Sequence, residues 1–194
     1  MIPNRNEALL LLQDAEACNP GPWGDHCRTA AHCAEKIALA CSMEGEKAYV
    51  LGLLHDIGRK FGIKHLAHVA DGYHYMAEMG YDEAARICLT HSFSTGNLQD
   101  YIGKNDVDEE EYAFLQSMLA KTPMDDYDRL IQLCDALAGS GKVLDIEERM
   151  GDVKRRYGFY PPEKWAKNME LKQYFEEKSG QDIYFITEKA TFAL

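Results

Sequence analysis

Residues 51–60 read LGLLHDIGRK, an apolar run that ends in an imidazole and a carboxylate. This stretch constrains the fold more than any other. A helix this apolar must face a core, and the core then has to accommodate His55 and Asp56. Neighbouring residues on a helix project about 100° apart, so the two side chains pair poorly with each other. Burying either one without a partner is costly. A metal ion shared with polar groups from elsewhere in the chain would satisfy both, and the remaining sequence has to supply those groups.

Helical periodicity dominates that remainder. It predicts helices over residues 6–17, capped by Asn6 and stopped by NPGP, and then over about 25–42, 45–57, 64–79 and 82–92. Gly58 ends the third of these, and Asp82 is the N-cap of the last. Residues 94–106 read as a loop that could close over a site. Asp108 caps the next helix, with Glu111 completing a capping-box-like pattern. Further helices are expected near 125–138, 143–157 and 162–178, and only DIYFIT at 182–187 has the composition of a strand. No repeat, low-complexity tract or linker divides the chain. The expectation is one all-α domain spanning residues 1–194.

Seven histidines stand at 26, 32, 55, 65, 68, 74 and 91. His26 shares a helical face with Ala30, Cys33, Ile37 and Cys41 and points inward; His32 falls on the polar side with Arg28, Glu35 and Lys36. If segments 64–79 and 82–92 form an antiparallel hairpin, a rise of about 1.5 Å per residue puts His68 and His91 nearly level. His74 lies closer to the turn, and the choice of His68 over His74 rests on this estimate. The same test applied to His26 and His55 gives a poorer match. His65 and His74 read as non-ligands. Asp135 lies inside the apolar run LIQLCDALAG, where an unpaired carboxylate would be very costly. A lysine partner or a cap would explain Asp135 alone. A metal explains it together with His55 and Asp56.

Composition narrows the function classes. The formal net charge of −11 disfavours non-specific binding to nucleic acid or to anionic membranes. Apolar stretches such as ALLLL at 8–12 are far too short for a membrane span. MIPNRNEALL lacks the features of a signal peptide, so a cytoplasmic protein is expected. Six cysteines include no C-x-x-C pair, and Cys33, Cys41 and Cys134 read as small core residues in a reducing compartment. NDVDEEE at 105–111 lacks the glycine and spacing of a calcium loop and reads as an acidic helix start. Arg59, Lys60 and Lys64 follow the His-Asp pair closely. They are candidates to bind phosphate and to offset the negative field locally; a solvated basic turn is the plainer reading.

The set His26, His55-Asp56, His68, His91 and Asp135 resembles the HD-domain superfamily of metal-dependent phosphohydrolases. The resemblance rests on PGPWGDHCRTAAHCAEKIA, LLHDIGRK, HVADGYHYM, LTHS and LCDALAG, covers about residues 22–157, and leaves 158–194 as a C-terminal helical extension or dimer contact. It implies a helical bundle and a metal-activated hydroxide acting on a small phosphate ester, a nucleotide in the leading reading. The six-ligand set is similar to the binuclear subset that includes bacterial symmetrical diadenosine tetraphosphate hydrolases. That subset implies a first metal on His26, His55, Asp56 and Asp135 and a second on His68 and His91. Asp56 would bridge the two, with His55 and Asp56 at the catalytic centre. These ligand types suit two divalent transition metals, iron first, with manganese, nickel, cobalt, zinc or magnesium as alternatives. A homodimer is an open expectation. Two other readings fit the same residues: a diiron oxygenase similar to myo-inositol oxygenase, and a non-catalytic nucleotide-binding signalling module.

Overall fold

Side-chain caps set where many of the helices begin. The computed structural model describes residues 1–187. Helix α1 (Arg5–Cys18) starts one residue earlier than expected, and Asn4, not Asn6, is the N-cap. Asn4 accepts the Glu7 amide, and the Glu7 carboxylate accepts the Asn4 amide in return. Helices α2 (Trp23–Ala40), α3 (Gly45–Leu54), α4 (Ala67–Glu78) and α5 (Asp82–Thr90) follow. Asp82 is the first residue of α5, and Tyr81 occupies the cap. Asp108 caps α6 (Glu109–Lys121) through the Glu111 amide. Asp125 and Asp128 form a reciprocal box at the start of α7 (Asp126–Leu137). Helices α8 (Ile146–Tyr157), α9 (Pro162–Ser179) and α10 (Ile183–Ile186) complete the described residues, which contain ten α-helices and no strand.

Two sequence expectations need correction near the C-terminus. The helix expected from about residue 143 starts later: residues 138–143 form a tight turn in which the Gly139 amide donates to Lys142 O, and α8 begins at Ile146, after its cap Asp145. The stretch DIYFIT is not a strand. Asp182 accepts the Tyr184 and Phe185 amides, which sets a short helix, and no neighbouring strand offers Ile183–Ile186 a ladder. Local capping together with the helical surroundings overrides the β-propensity of Ile, Tyr and Phe.

The third predicted helix is also cut short. It ends at Leu54, His55 is its C-cap, and a 3-10 turn (Ile57–Phe61) takes over. Gly58 does not end the helix; it permits a backbone contact. A Cβ on Gly58 would lie 2.0 Å from the carbonyl oxygen of His68 and 2.5 Å from the amide nitrogen of Gly72. Only glycine lets this turn lie directly on α4. Gly52 plays a similar part between α3 and α2, where a Cβ would come within 2.8 Å of Ala31 Cα.

Helices α2 and α3 pack as an antiparallel pair, α4 and α5 as another, and α7 lies against α2, α3 and α5. The inward face of α2 carries Ala30, Cys33 and Ile37, all buried, and the ends of α3, α4 and α5 meet it near His26. A smaller cluster, including Leu66, Phe93, Leu98 and Leu115, anchors the 94–106 segment and α6. That segment contains a single 3-10 turn, Leu98–Asp100. Asp106 from its end accepts the amides of His65 and Ala67 and so caps the entry to α4. Helix α9 packs on α7 and α2.

Candidate metal centre

The ends of these helices bring four imidazoles and two carboxylates together. Nε2 of His26 lies 3.2 Å from Nε2 of His55 and 3.0 Å from Oδ1 of Asp135. Nε2 of His68 lies 3.3 Å from Nε2 of His91, and these two nitrogens lie 3.0 Å and 3.4 Å from Oδ1 of Asp56. The His55 and His91 rings, 5.1 Å apart, join the two groups. His55, Asp56, His68 and His91 are buried. The Asp135 side chain keeps 30% exposure, because it opens onto a cavity.

Each ring is oriented by a backbone carbonyl. Nδ1–H of His55 donates to Gly52 O at 2.7 Å, that of His91 to Cys88 O at 2.8 Å and that of His26 to Ala138 O at 3.0 Å. His68 donates in the same way to His65 O. A carbonyl can only accept, so in the neutral rings the proton sits on Nδ1 and every Nε2 presents a bare lone pair. Lone pairs then face lone pairs and carboxylate oxygens at contact distance. Asp56 Oδ1, fully enclosed, has no hydrogen-bond partner. Something positive has to lie between these atoms.

The donor set fits a metal. Two nitrogens each about 2.1 Å from one ion stand about 3.0–3.4 Å apart at ordinary bond angles, which matches both imidazole pairs. Protons are poor substitutes at most positions. Burial lowers His55 to about 4, and burial followed by the nearby Arg59 charge lowers His68. His26 is the exception: burial opposes its protonation, but the Asp135 hydrogen bond and charge outweigh it and raise its pKa. Asp135 and Asp56 are held well below the usual carboxylate range. Burial opposes this in both; His26 overcomes it at Asp135 and Arg59, then His68, at Asp56. Cys27 lies beside His55 and Asp56, but burial pushes its thiol far up and keeps it protonated.

A measurable consequence follows from His26. A metal entering the His26–Asp135 pair must displace the proton that the pair favours. Proton release on metal loading is expected to approach about one per chain at about pH 6. It should decline as the pH rises through the elevated His26 pKa. Calorimetric titrations in buffers of different ionisation enthalpy would read it, and pH-independent binding enthalpies corrected for buffer would contradict it.

The other candidates separate clearly. His74 is on the outside of α4, 3.0 Å from Glu111 and stacked on Phe114. His32 is 37% exposed and packs edge-on against Tyr49. Arg59 lines the cavity, but its guanidinium is bonded to Asp56. Lys60 and Lys64 are not brought to the cavity: their ammonium groups pair with Asp14 at 2.6 Å and Asp71 at 2.7 Å. The cavity, about 190 Å³, has cations that no motif announced. Arg149 and Arg156 come from α8 and Lys164 from α9, with Tyr101 from the 94–106 segment beside them. Nothing in an ordinary amphipathic helix marks such residues in advance.

The HD domain family matches residues 23–140 of this sequence, a span that contains all six converging residues. The chain belongs to the HD domain family. Its fold is also that of a crystal structure described as the L. monocytogenes phosphodiesterase PgpH HD domain. The TM-score is 0.51 and the identity 18%, over 92% of this chain and 94% of that one. At this identity the likeness is one of fold. No curated protein sequence matches the chain. Arg149, Arg156 and Lys164 lie beyond the HD domain match, so the cavity combines family elements with helices that follow them. Among the described residues no helix is long and apolar enough to cross a membrane.

Proposed function

We propose that this HD protein is a metal-dependent phosphohydrolase of the binuclear type, acting on a nucleotide or another small phosphate ester. One observation carries the reading: four imidazole Nε2 atoms and two carboxylates held in the ionised form converge, and although a proton suits the His26–Asp135 contact, Asp56 Oδ1 is enclosed with no hydrogen-bond partner. His26, His55 and Asp135 would hold one divalent ion and His68 and His91 the other, with Asp56 between them. When bound, such a pair of ions makes hydroxide available near neutral pH and neutralises phosphate oxygens. The chain's own residues do the rest. The backbone carbonyls of Gly52, His65, Cys88 and Ala138 fix the ligand rings. Arg59 holds one oxygen of Asp56, which orients the carboxylate and leaves the other oxygen facing His68 and His91. The cationic wall supplied by Arg149, Arg156 and Lys164 offsets the −11 charge locally, beside the centre.

Those same cations favour an anionic substrate over the oxygenase reading. The ligand types favour a borderline transition metal, iron or manganese among them, over magnesium alone. The test is a panel of phosphate esters, including nucleoside mono- and polyphosphates and diadenosine tetraphosphate, assayed with protein loaded separately with iron, manganese, cobalt, nickel and magnesium. Metal-dependent release of phosphate or nucleotide is expected. No turnover with any metal, together with oxygen uptake by the diiron form, would replace this reading with the oxygenase one. A further expected result concerns stoichiometry: His91→Ala should reduce metal content from about two equivalents to about one while the fold is kept. Elemental analysis reads this directly, and retention of both equivalents would remove His91 from the ligand set.

A further inference from the structure

Two cations on the cavity wall have no carboxylate within ion-pair distance among the described residues. Lys164 reaches back from the first turn of α9, donating to Ser92 O at 2.7 Å and, more weakly, to Asp100 O at 3.5 Å. An ammonium has three N–H groups, so at least one remains for a ligand. Arg149 donates Nε–H to Ala138 O at 3.3 Å, and its two terminal nitrogens keep their donors. Both residues line the same cavity as His91 and Asp135. Arg59 and Arg156, by contrast, are paired with Asp56 and Asp152.

The plainest alternative is that these cations only balance Asp56 and Asp135. That role disappears once two divalent ions occupy the carboxylates. Four metal charges then exceed the two carboxylate charges, and Lys164 and Arg149 add to the surplus. A single phosphate ester with a hydroxide does not neutralise such a centre, whereas a second phosphate brings it close.

We propose that Lys164 and Arg149 form a second anion subsite beside the metal centre, which holds a phosphate group adjacent to the one that reacts. The inference rests on the phosphohydrolase reading of the site and deepens it. The substrate class is then one with at least two phosphates in series, and α8 and α9, outside the HD match, set that preference.

Direct binding tests this independently of turnover. The probes are inorganic orthophosphate and the non-hydrolysable methylenediphosphonate, titrated calorimetrically at pH 7 into full-length, manganese-loaded protein. The wild type is expected to bind the diphosphonate about tenfold tighter than orthophosphate, as one charge-assisted contact provides. Lys164→Met should reduce that preference to within about twofold while orthophosphate affinity stays the same, and Lys164→Arg should restore most of it. Arg149→Met should act in the same direction, and it carries the test if Lys164→Met loses its helical circular dichroism or its metal. Equal weakening of both probes, or no weakening of either, would overturn the subsite. A protein without hydrolase activity that still shows the preference and its loss would sink the proposed reaction but keep the subsite. An active enzyme whose preference survives both substitutions would do the reverse.

Discussion

Asp56→Ala is expected to leave the protein almost free of metal and to abolish phosphate release. Asp56 Oδ1 faces His68 and His91, and the carboxylate also lies within a ligand's reach of His55. Removing it takes one donor from the His68–His91 group and the link to the His26–His55 group. Metal content should fall below about half an equivalent per chain, against about one for His91→Ala. Loss of both ions removes several kcal/mol of charge stabilisation, so turnover should drop about a thousandfold or more. The substitution also leaves the Arg59 guanidinium without its carboxylate, although that side chain is about a third exposed and water covers part of the loss. Elemental analysis alongside circular dichroism separates metal loss from unfolding. A folded Asp56→Ala protein with two equivalents of metal would show that the bridging role is wrong.

The second large effect is expected from a single methyl group far less conspicuous than a ligand. Gly58→Ala places a Cβ 2.0 Å from His68 O and 2.5 Å from Gly72 N, both backbone atoms that cannot rotate away. Either the 3-10 turn lifts from α4 or α4 moves. Overpacking of this kind costs about 3 kcal/mol or more, and in a protein of this size that lowers the melting temperature by roughly 10 °C. The displaced backbone belongs to His68 itself, so weaker binding of the second metal should accompany the loss of stability. Gly62→Ala is the matched control. Gly62 has φ +116°, but an added Cβ there meets nothing within 4 Å. Its cost should be the roughly 1–3 kcal/mol of backbone strain alone, with no change in metal binding. A Gly58→Ala protein that keeps the wild-type melting temperature and both metals would show that the turn and α4 are not held in this close contact.

The helical architecture was legible because amphipathic periodicity and capping residues recur along most of the chain. DIYFIT misled because β-branched and aromatic residues signal a strand only where a partner strand exists. The six converging residues were legible for a different reason: each is a polar group on an otherwise apolar face, and the core cannot accept it alone. The axial estimate worked for His68 and His91, which lie on two helices joined by a tight turn. It served His26 and His55 poorly because axial level alone says nothing of helix crossing or side-chain reach; the two rings meet all the same, Nε2 to Nε2 at 3.2 Å. Arg149 and Lys164 were not legible. Their side chains matter because of where α8 and α9 dock, and that depends on the tertiary packing of α7 and not on any local pattern. Lys60 and Lys64 show the converse, basic residues next to a motif whose partners, Asp14 and Asp71, lie elsewhere.

The carbonyls that orient the histidines have one more consequence. Three of the four belong to the histidine's own chain segment: Gly52 for His55, His65 for His68 and Cys88 for His91, each three residues back. The ring's tilt and its tautomer are therefore written into the last turn or bend of the segment that carries it. The rest of the molecule has only to deliver those segment ends to one place. Residues elsewhere can be exchanged freely so long as the delivery is kept, which gives such a centre a way to outlast nearly all of the sequence that once surrounded it.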